Sequence, residues 1–145
     1  MTTISQCVSS SLSCRSSTVD RIPVKIIVPL TGRPDVLTAF VGRFEALVLE
    51  HQEPLHLVVV NFPDNADIAD NRLLKDELVE LGNKLAGVQV ILTEESGDFS
   101  RGKALQVGAQ KAQDDELLFF CDVDVVFDKT MLRRIRYNTI KVHYN

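Results

Sequence analysis

Two carboxylates at i and i+2, Asp122 and Asp124, stand just past an unbroken apolar or thiol run, Leu117-Leu-Phe-Phe-Cys121. Hard divalent cations such as magnesium or manganese take oxygen ligands, commonly one or two protein carboxylates together with substrate phosphates. The run in front of them predicts a strand buried on both faces, as in a parallel sheet. If the backbone stays extended beyond it, the two acidic side chains point the same way. Ligands of open α/β sheets sit just beyond the carboxyl ends of the strands. The combination proposes a cation and a phosphorylated ligand. The same triplet also ends strands and caps the helices that follow them, and the residues alone leave both readings open.

Two further segments carry groups suited to an anion. Thr31-Gly32-Arg33 offers backbone N–H groups and a guanidinium for a diphosphate or a base, although it also reads as an ordinary turn. Ser100-Arg101-Gly102-Lys103 opens a helix and is a second possible anion site, or equally a solvated basic first turn. There is no Gly-x-Gly-x-x-Gly and no Gly-x-x-x-x-Gly-Lys-Ser/Thr, so the usual dinucleotide and P-loop fingerprints are absent. Three scattered histidines support no Ser-His-Asp or Cys-His constellation, and His56 lies inside an apolar strand, as a core or edge histidine would. Cys7, Cys14 and Cys121 show neither zinc spacing nor a disulfide framework. Cys121 is expected to be a buried thiol at the strand end.

The elements that position these groups alternate. Val24–Leu30 reads as a first buried strand, ended by Thr31-Gly32-Arg33-Pro34. Pro34 and Asp35 suit a helix start, and Val36, Leu37, Phe40, Val41, Phe44, Leu47 and Val48 share one helical face. Leu55–Val60 is a second strand. Asp70 or Asn71 is expected to cap a helix whose buried stripe is Leu74, Leu78, Leu81 and Leu85, with Gly87 as its stop and Val88–Leu92 as strand three. Ser100 is expected to cap the next helix, whose narrow face of mostly small residues (Leu105, Gly108, Ala109, Ala112) lets it lie close to its neighbours. Asp128 is expected to cap a last helix carrying Met131, Leu132 and Ile135. An order of β-α-β-α-β-α-β-α means an α/β fold, a mostly parallel sheet with flanking helices.

At 145 residues the chain is one domain at most, with room for a core. A net charge of -4 and a pI near 5.3 argue against a nucleic-acid partner held by general electrostatics. Arg133, Arg134, Arg136 and Lys141 read as a solvated helix face. No run approaches the roughly 18 apolar residues of a membrane span, and the N-terminus lacks an apolar signal core. Residues 1–21 are Ser- and Thr-rich and are expected to form a disordered leader, with 22–145 as the folded part.

Taken in order, Val28-Pro29-Leu30-Thr31-Gly32-Arg33, then Asp98-Phe99-Ser100-Arg101-Gly102-Lys103-Ala104-Leu105-Gln106-Val107-Gly108, then Leu118-Phe119-Phe120-Cys121-Asp122-Val123-Asp124 resemble the chondroitin N-acetylgalactosaminyltransferase and chondroitin synthase family. These are GT-A glycosyltransferases, distantly similar to the β-1,4-galactosyltransferases. The resemblance runs from about Ile22 to about Asn138, and Phe-Ser-Arg-Gly followed by Phe-Phe-Cys-Asp-Val-Asp is far more specific than a lone Asp-x-Asp. It implies a GT-A, Rossmann-like fold in which Asp124 is the direct ligand of Mn2+ on the diphosphate of a UDP-sugar, while Asp122 lies toward the ribose and sugar. It implies that Pro29, Leu30, Gly32 and Arg33 receive the uridine and that Phe99 and Arg101 lie beside the nucleotide. The implied donor is UDP-N-acetylgalactosamine or UDP-glucuronic acid, and the acceptor a glycosaminoglycan chain. The implied location is the Golgi cisterna membrane, as a type II protein with a lumenal catalytic domain. Another synthase-family subunit is an implied partner.

The family carries its catalytic base further on, near a Trp-Gly-x-Glu-Asp stretch with a histidine metal ligand. This chain has no Trp, and His143 stands in no such motif. No catalytic residue is therefore assigned, and the chain is expected to be a fragment, the donor-nucleotide half truncated one helix after the acidic triplet. Two other readings stay open at this point. One is a module that binds UDP-sugar and Mn2+, or pairs with a full-length synthase, without transferring anything. The other is an unrelated nucleotide-binding α/β protein whose acidic triplet only caps and terminates.

Overall fold

The computed structural model describes residues 18–140. The expectations for Cys7, Cys14, Lys141, His143 and most of the leader lie outside the described residues. Four strands, β1 (Val24–Leu30), β2 (Leu55–Asn61), β3 (Val90–Glu94) and β4 (Leu117–Phe120), alternate with four helices, α1 (Pro34–His51), α2 (Ile68–Lys84), α3 (Arg101–Ala109) and α4 (Lys129–Ile140). The sheet is all parallel in the order β3-β2-β1-β4. Sheet order reverses between β1 and β4, which opens a crevice at their carboxyl ends.

Strand alternation divides the core into two layers. Val24, Ile26, Val28, Leu30, Leu55, Leu57 and Val59 pack with Phe40 and Phe44 of α1, Leu74 and Leu78 of α2 and Leu132 of α4. On the other face Ile27, Val58, Val60 and Phe62 meet Ala104 of α3. Phe127 leads the chain into α4 by packing on Phe40 at 5.7 Å and Phe119 at 5.9 Å between ring centroids. The α/β class and parallel sheet expected from the alternating pattern are therefore what the chain forms.

The close approach expected of α3 is present. A Cβ on Gly108 would lie 2.3 Å from Cγ2 of Ile27, itself fully buried. Gly108→Ala adds about 1 kcal/mol of helix propensity, but the overpacking costs about 1–3 kcal/mol. A net loss of stability is expected in urea unfolding; a more stable variant would show that α3 has room to back away.

Several local expectations shift. Helix α2 starts at Ile68, earlier than a cap at Asp70 or Asn71 allows: Asp67 is the N-cap residue and its carbonyl accepts the N–H of Asn71. Strand β3 starts at Val90 instead of Val88, because Val88 N–H closes a turn on the Leu85 carbonyl around Gly87, whose φ is +77°. Helix α2 itself ends earlier than expected, at Lys84 with an extended Leu85 as its C-cap, so Gly87 belongs to the turn that follows and is not the helix stop. The basic face of α4 is only partly solvated. Arg136 is fully buried: its Nε donates to the Ile22 carbonyl at 2.8 Å and its Nη1 pairs with Glu53 at 2.6 Å. It ties α4 to the residues just before β1 and β2, satisfying the Ile22 carbonyl and the Glu53 carboxylate. Arg133 pairs with Asp20 at 3.1 Å.

Strand β4 is not buried on both faces. Leu117 and Phe119 face the core, while Leu118 and Phe120 are 37% and 44% exposed. The strand lies at the sheet edge, and the nine-residue α3 packs over β1 and β2 and leaves β4 bare. Among the described residues only β1 pairs with it. An open edge with two large apolar side chains invites self-association. Leu118→Lys with Phe120→Glu is expected to reduce the apparent mass in concentration-dependent light scattering without lowering the melting temperature. A parent chain that is monomeric at every concentration would refute the expectation.

Candidate functional site

Three segments meet at the carboxyl edge of β1, β2 and β4. Pro29 and Leu30 end β1 and are buried. The chain then turns through two consecutive left-handed residues, Gly32 (φ +61°) and Arg33 (φ +57°), and enters α1 at Pro34. Thr31 Oγ1 donates to the Phe62 carbonyl at 3.0 Å, and Phe62 N–H donates to the Leu30 carbonyl at 3.0 Å. Gly32 faces Ala66, where a Cβ would make ordinary contact at 3.5 Å. The first loop is thus stitched to the end of β2. Arg33 is exposed, and among the described residues its guanidinium has no hydrogen-bond or ion-pair partner.

The second segment is the start of α3. Ser100 caps it as expected, its Oγ accepting the Lys103 N–H at 3.2 Å. Phe99 is 43% exposed and sets one ring edge against buried Phe62, 5.3 Å away and 72° between planes. Arg101, the first residue of α3, donates from Nε to Asp122 Oδ1 at 3.0 Å, with both side chains half exposed. Two motifs separated by 21 positions are therefore in direct contact.

The third segment follows β4. Cys121 N–H donates to the Ile27 carbonyl at 3.0 Å and prolongs the strand pairing by one residue. Its thiol is buried as expected. Burial, reinforced by the Asp122 carboxylate, pushes it up to about 11, so it stays protonated and is a poor nucleophile at neutral pH. Beyond Cys121 the backbone is not extended: Val125 N–H donates to the Asp122 carbonyl at 3.0 Å and closes a turn. The common direction expected for Asp122 and Asp124 from strand geometry therefore does not hold. Val123 packs inward, and both carboxylates are exposed.

The turn also bears on the capping alternative. Asp128 Oδ1 accepts the Met131 N–H at 2.8 Å, so Asp128 caps α4 as expected and the acidic triplet does not. Among the described residues Asp124 has no hydrogen-bond or ion-pair partner. An exposed, unpaired carboxylate next to one fixed by a guanidinium is a donor set suited to a hard cation whose other ligands come from phosphate and water. No group of three His, Cys, Asp or Glu side chains is arranged to hold a metal by itself among the described residues.

His56 is structural, at the amino end of β2 and away from this edge. Its Nδ1 accepts the Gln89 N–H at 2.9 Å, and burial lowers its pKa, against Glu116, so it stays neutral. Sequence reasoning missed Asn61, the fully buried last residue of β2. Its Nδ2 donates to Asn71 Oδ1 at 3.2 Å, while its own Oδ1 has no partner. The available signal was a lone amide ending the apolar run Leu57-Val-Val-Val60.

The model for the family described as "Chondroitin N-acetylgalactosaminyltransferase" matches residues 5–143. The chain belongs to that family. Within the chondroitin N-acetylgalactosaminyltransferase family it is 34% identical over 119 residues to mouse "Chondroitin sulfate synthase 3", covering 81% of this chain and 13% of the relative. It is 35% identical over 117 residues to human "Chondroitin sulfate N-acetylgalactosaminyltransferase 1", covering 80% of this chain and 21% of the relative. Human "Chondroitin sulfate N-acetylgalactosaminyltransferase 2" is 31% identical over 121 residues, with 83% and 22% covered. The chain thus spans 13–22% of the length of these family members. No helix among the described residues is long and apolar enough to cross a membrane.

Proposed function

We propose that this chain is the donor-nucleotide half of a glycosyltransferase of chondroitin biosynthesis, binding a UDP-sugar together with Mn2+. The observation that carries this is the Arg101–Asp122 contact, which joins the helix-start motif to the acidic triplet at the mouth of the β1–β4 crevice. In this reading Asp124 is the direct metal ligand, with Asp122 held by Arg101 toward the ribose and sugar. Pro29, Leu30, Gly32 and Arg33 form the uridine wall, and Phe99 and Arg101 flank the nucleotide. Arg33 supplies positive charge without a partner among the described residues, and α3 turns its N-terminus toward the same edge, which favours an anion. When bound, the metal neutralises charge on the departing diphosphate as a Lewis acid.

The donor sugar in this proposal is N-acetylgalactosamine or glucuronic acid, the acceptor a glycosaminoglycan, and the compartment the Golgi lumen. Transfer also needs a base for the acceptor hydroxyl, and no residue here is assigned that role. The test is calorimetric titration of UDP into the chain with and without Mn2+. Saturable binding that needs the metal supports the reading. Metal-independent binding, or none to a demonstrably folded protein, overturns the donor-site reading and leaves the family membership a statement of ancestry, not activity. A second reading, a donor-binding module that works only beside another synthase-family chain, is favoured by the bare edge and exposed Leu118 and Phe120 of β4.

A further inference from the structure

The loop that carries Phe99 and leads into Arg101 runs from the end of β3 to the start of α3, and besides the Glu95 N–H bond to the Asn61 carbonyl it is gripped from outside at Gly97. Gly97 N–H donates to Asp64 Oδ2 at 2.8 Å, and the Gly97 carbonyl accepts from Asn65 Nδ2 at 2.8 Å. Both backbone groups of one residue are therefore held by two adjacent side chains. Gly97 sits at φ +89° with open space where a Cβ would be, so its backbone conformation is what reserves the position for glycine.

The grip is itself anchored to the sheet. Asp64 and Asn65 belong to a single 3-10 turn, Pro63–Asn65, directly after β2. Asn71 Nδ2 donates to the Pro63 carbonyl at 3.0 Å, and the Asn71 amide oxygen accepts from buried Asn61 at 3.2 Å. Phe62, the residue before the turn, is the one Phe99 packs on. From Asn61 outward, each contact passes the position of β2 to the loop.

We propose that Asp64 and Asn65 are positioning residues: by clamping Gly97 they hold the β3–α3 loop so that Phe99 and Arg101 are already placed for the nucleotide before it arrives. This rests on the donor-site reading above. The physical advantage is preorganisation, since a loop ordered in advance spends less of the binding free energy on its own ordering. Neither side chain needs to touch the ligand.

The chain has no Trp, so Ser96→Trp, at an exposed position beside Gly97, creates a unique optical reporter of the loop. In that background Asp64→Ala, Asn65→Ala and Asp64→Asn are compared by Trp anisotropy and acrylamide quenching without ligand, and by UDP titration with Mn2+. Each alanine variant is expected to lower anisotropy, raise quenching and weaken UDP binding by roughly five- to tenfold, the effect of one lost charge-assisted or neutral hydrogen bond. Asp64→Asn keeps an acceptor for the Gly97 N–H and is expected to stay close to the parent. The comparison separates positioning from charge. Asp64→Ala and Asp64→Asn remove the same negative charge, so electrostatics alone predicts equal and tighter binding of an anion to both.

Tighter or unchanged UDP binding by Asp64→Ala, or an unchanged loop signal, overturns the proposal. If UDP fails to bind even the parent, the donor-site reading falls. The ligand-free loop signals then still decide whether the clamp exists.

Discussion

Asp124→Ala is expected to abolish Mn2+-dependent UDP binding, with a loss of about a hundredfold or more in affinity. Asp124 is exposed and has no internal partner among the described residues, so its removal leaves no buried group unsatisfied and the fold should survive. In the proposed reading what disappears is the direct protein ligand of the cation, Asp122 being held by Arg101 toward the ribose and sugar. Asp122→Asn should cost less, because an amide oxygen can still accept from Arg101 Nε. The measurement is calorimetric titration of UDP with and without Mn2+, with circular dichroism to verify that each variant is folded. Binding by Asp124→Ala equal to the parent would remove this residue from the metal site, and a metal requirement that survives would move the site elsewhere.

Lys25→Met is expected to be the most damaging single change to the fold. Lys25 is fully buried in the middle strand layer, with Nζ 2.7 Å from Glu116 Oε1, 2.7 Å from the Lys111 carbonyl and 3.1 Å from Gln89 Oε1. The Glu116 side chain is only 2% exposed. Removing one partner of a buried ion pair leaves an uncompensated charge and typically costs about 3–5 kcal/mol. A domain of this size has only about 5–15 kcal/mol in total. The double change Lys25→Met with Glu116→Leu removes both charges and should recover most of the loss. Urea unfolding with an unchanged slope measures both. A single variant that loses under about 1 kcal/mol would mean that Glu116 is rescued by water.

The placement of that ion pair separates two levels of information. Lys25 looks in the sequence like a stray polar residue in an apolar strand, and Glu116 like the polar lead-in to another. Their pairing depends on β1 and β4 being neighbours, which no local pattern states. Arg136 is the same case: helical periodicity makes it solvated, and contacts to Ile22 and Glu53, 114 and 83 positions away, bury it. Helix caps behave in the opposite way. Ser100 and Asp128 were legible because each bonds an N–H three residues ahead.

The candidate site divides along the same line. The motif residues and their order along the chain could be read directly, as could their gathering at strand ends, because a βα alternation forces parallel strands to deliver their loops to one edge. The turn at Asp122–Val125, the contact of Arg101 with Asp122 and the grip of Asp64 and Asn65 on Gly97 could not. By itself, then, the sequence determined the alternating elements, the close-packed α3 and the residue types at the site, since these follow from periodicity, sterics and local hydrogen bonding. The tertiary structure alone decided that β4 lies bare at the edge and which polar groups find partners. Those depend on strand order and on contacts between segments far apart in the chain.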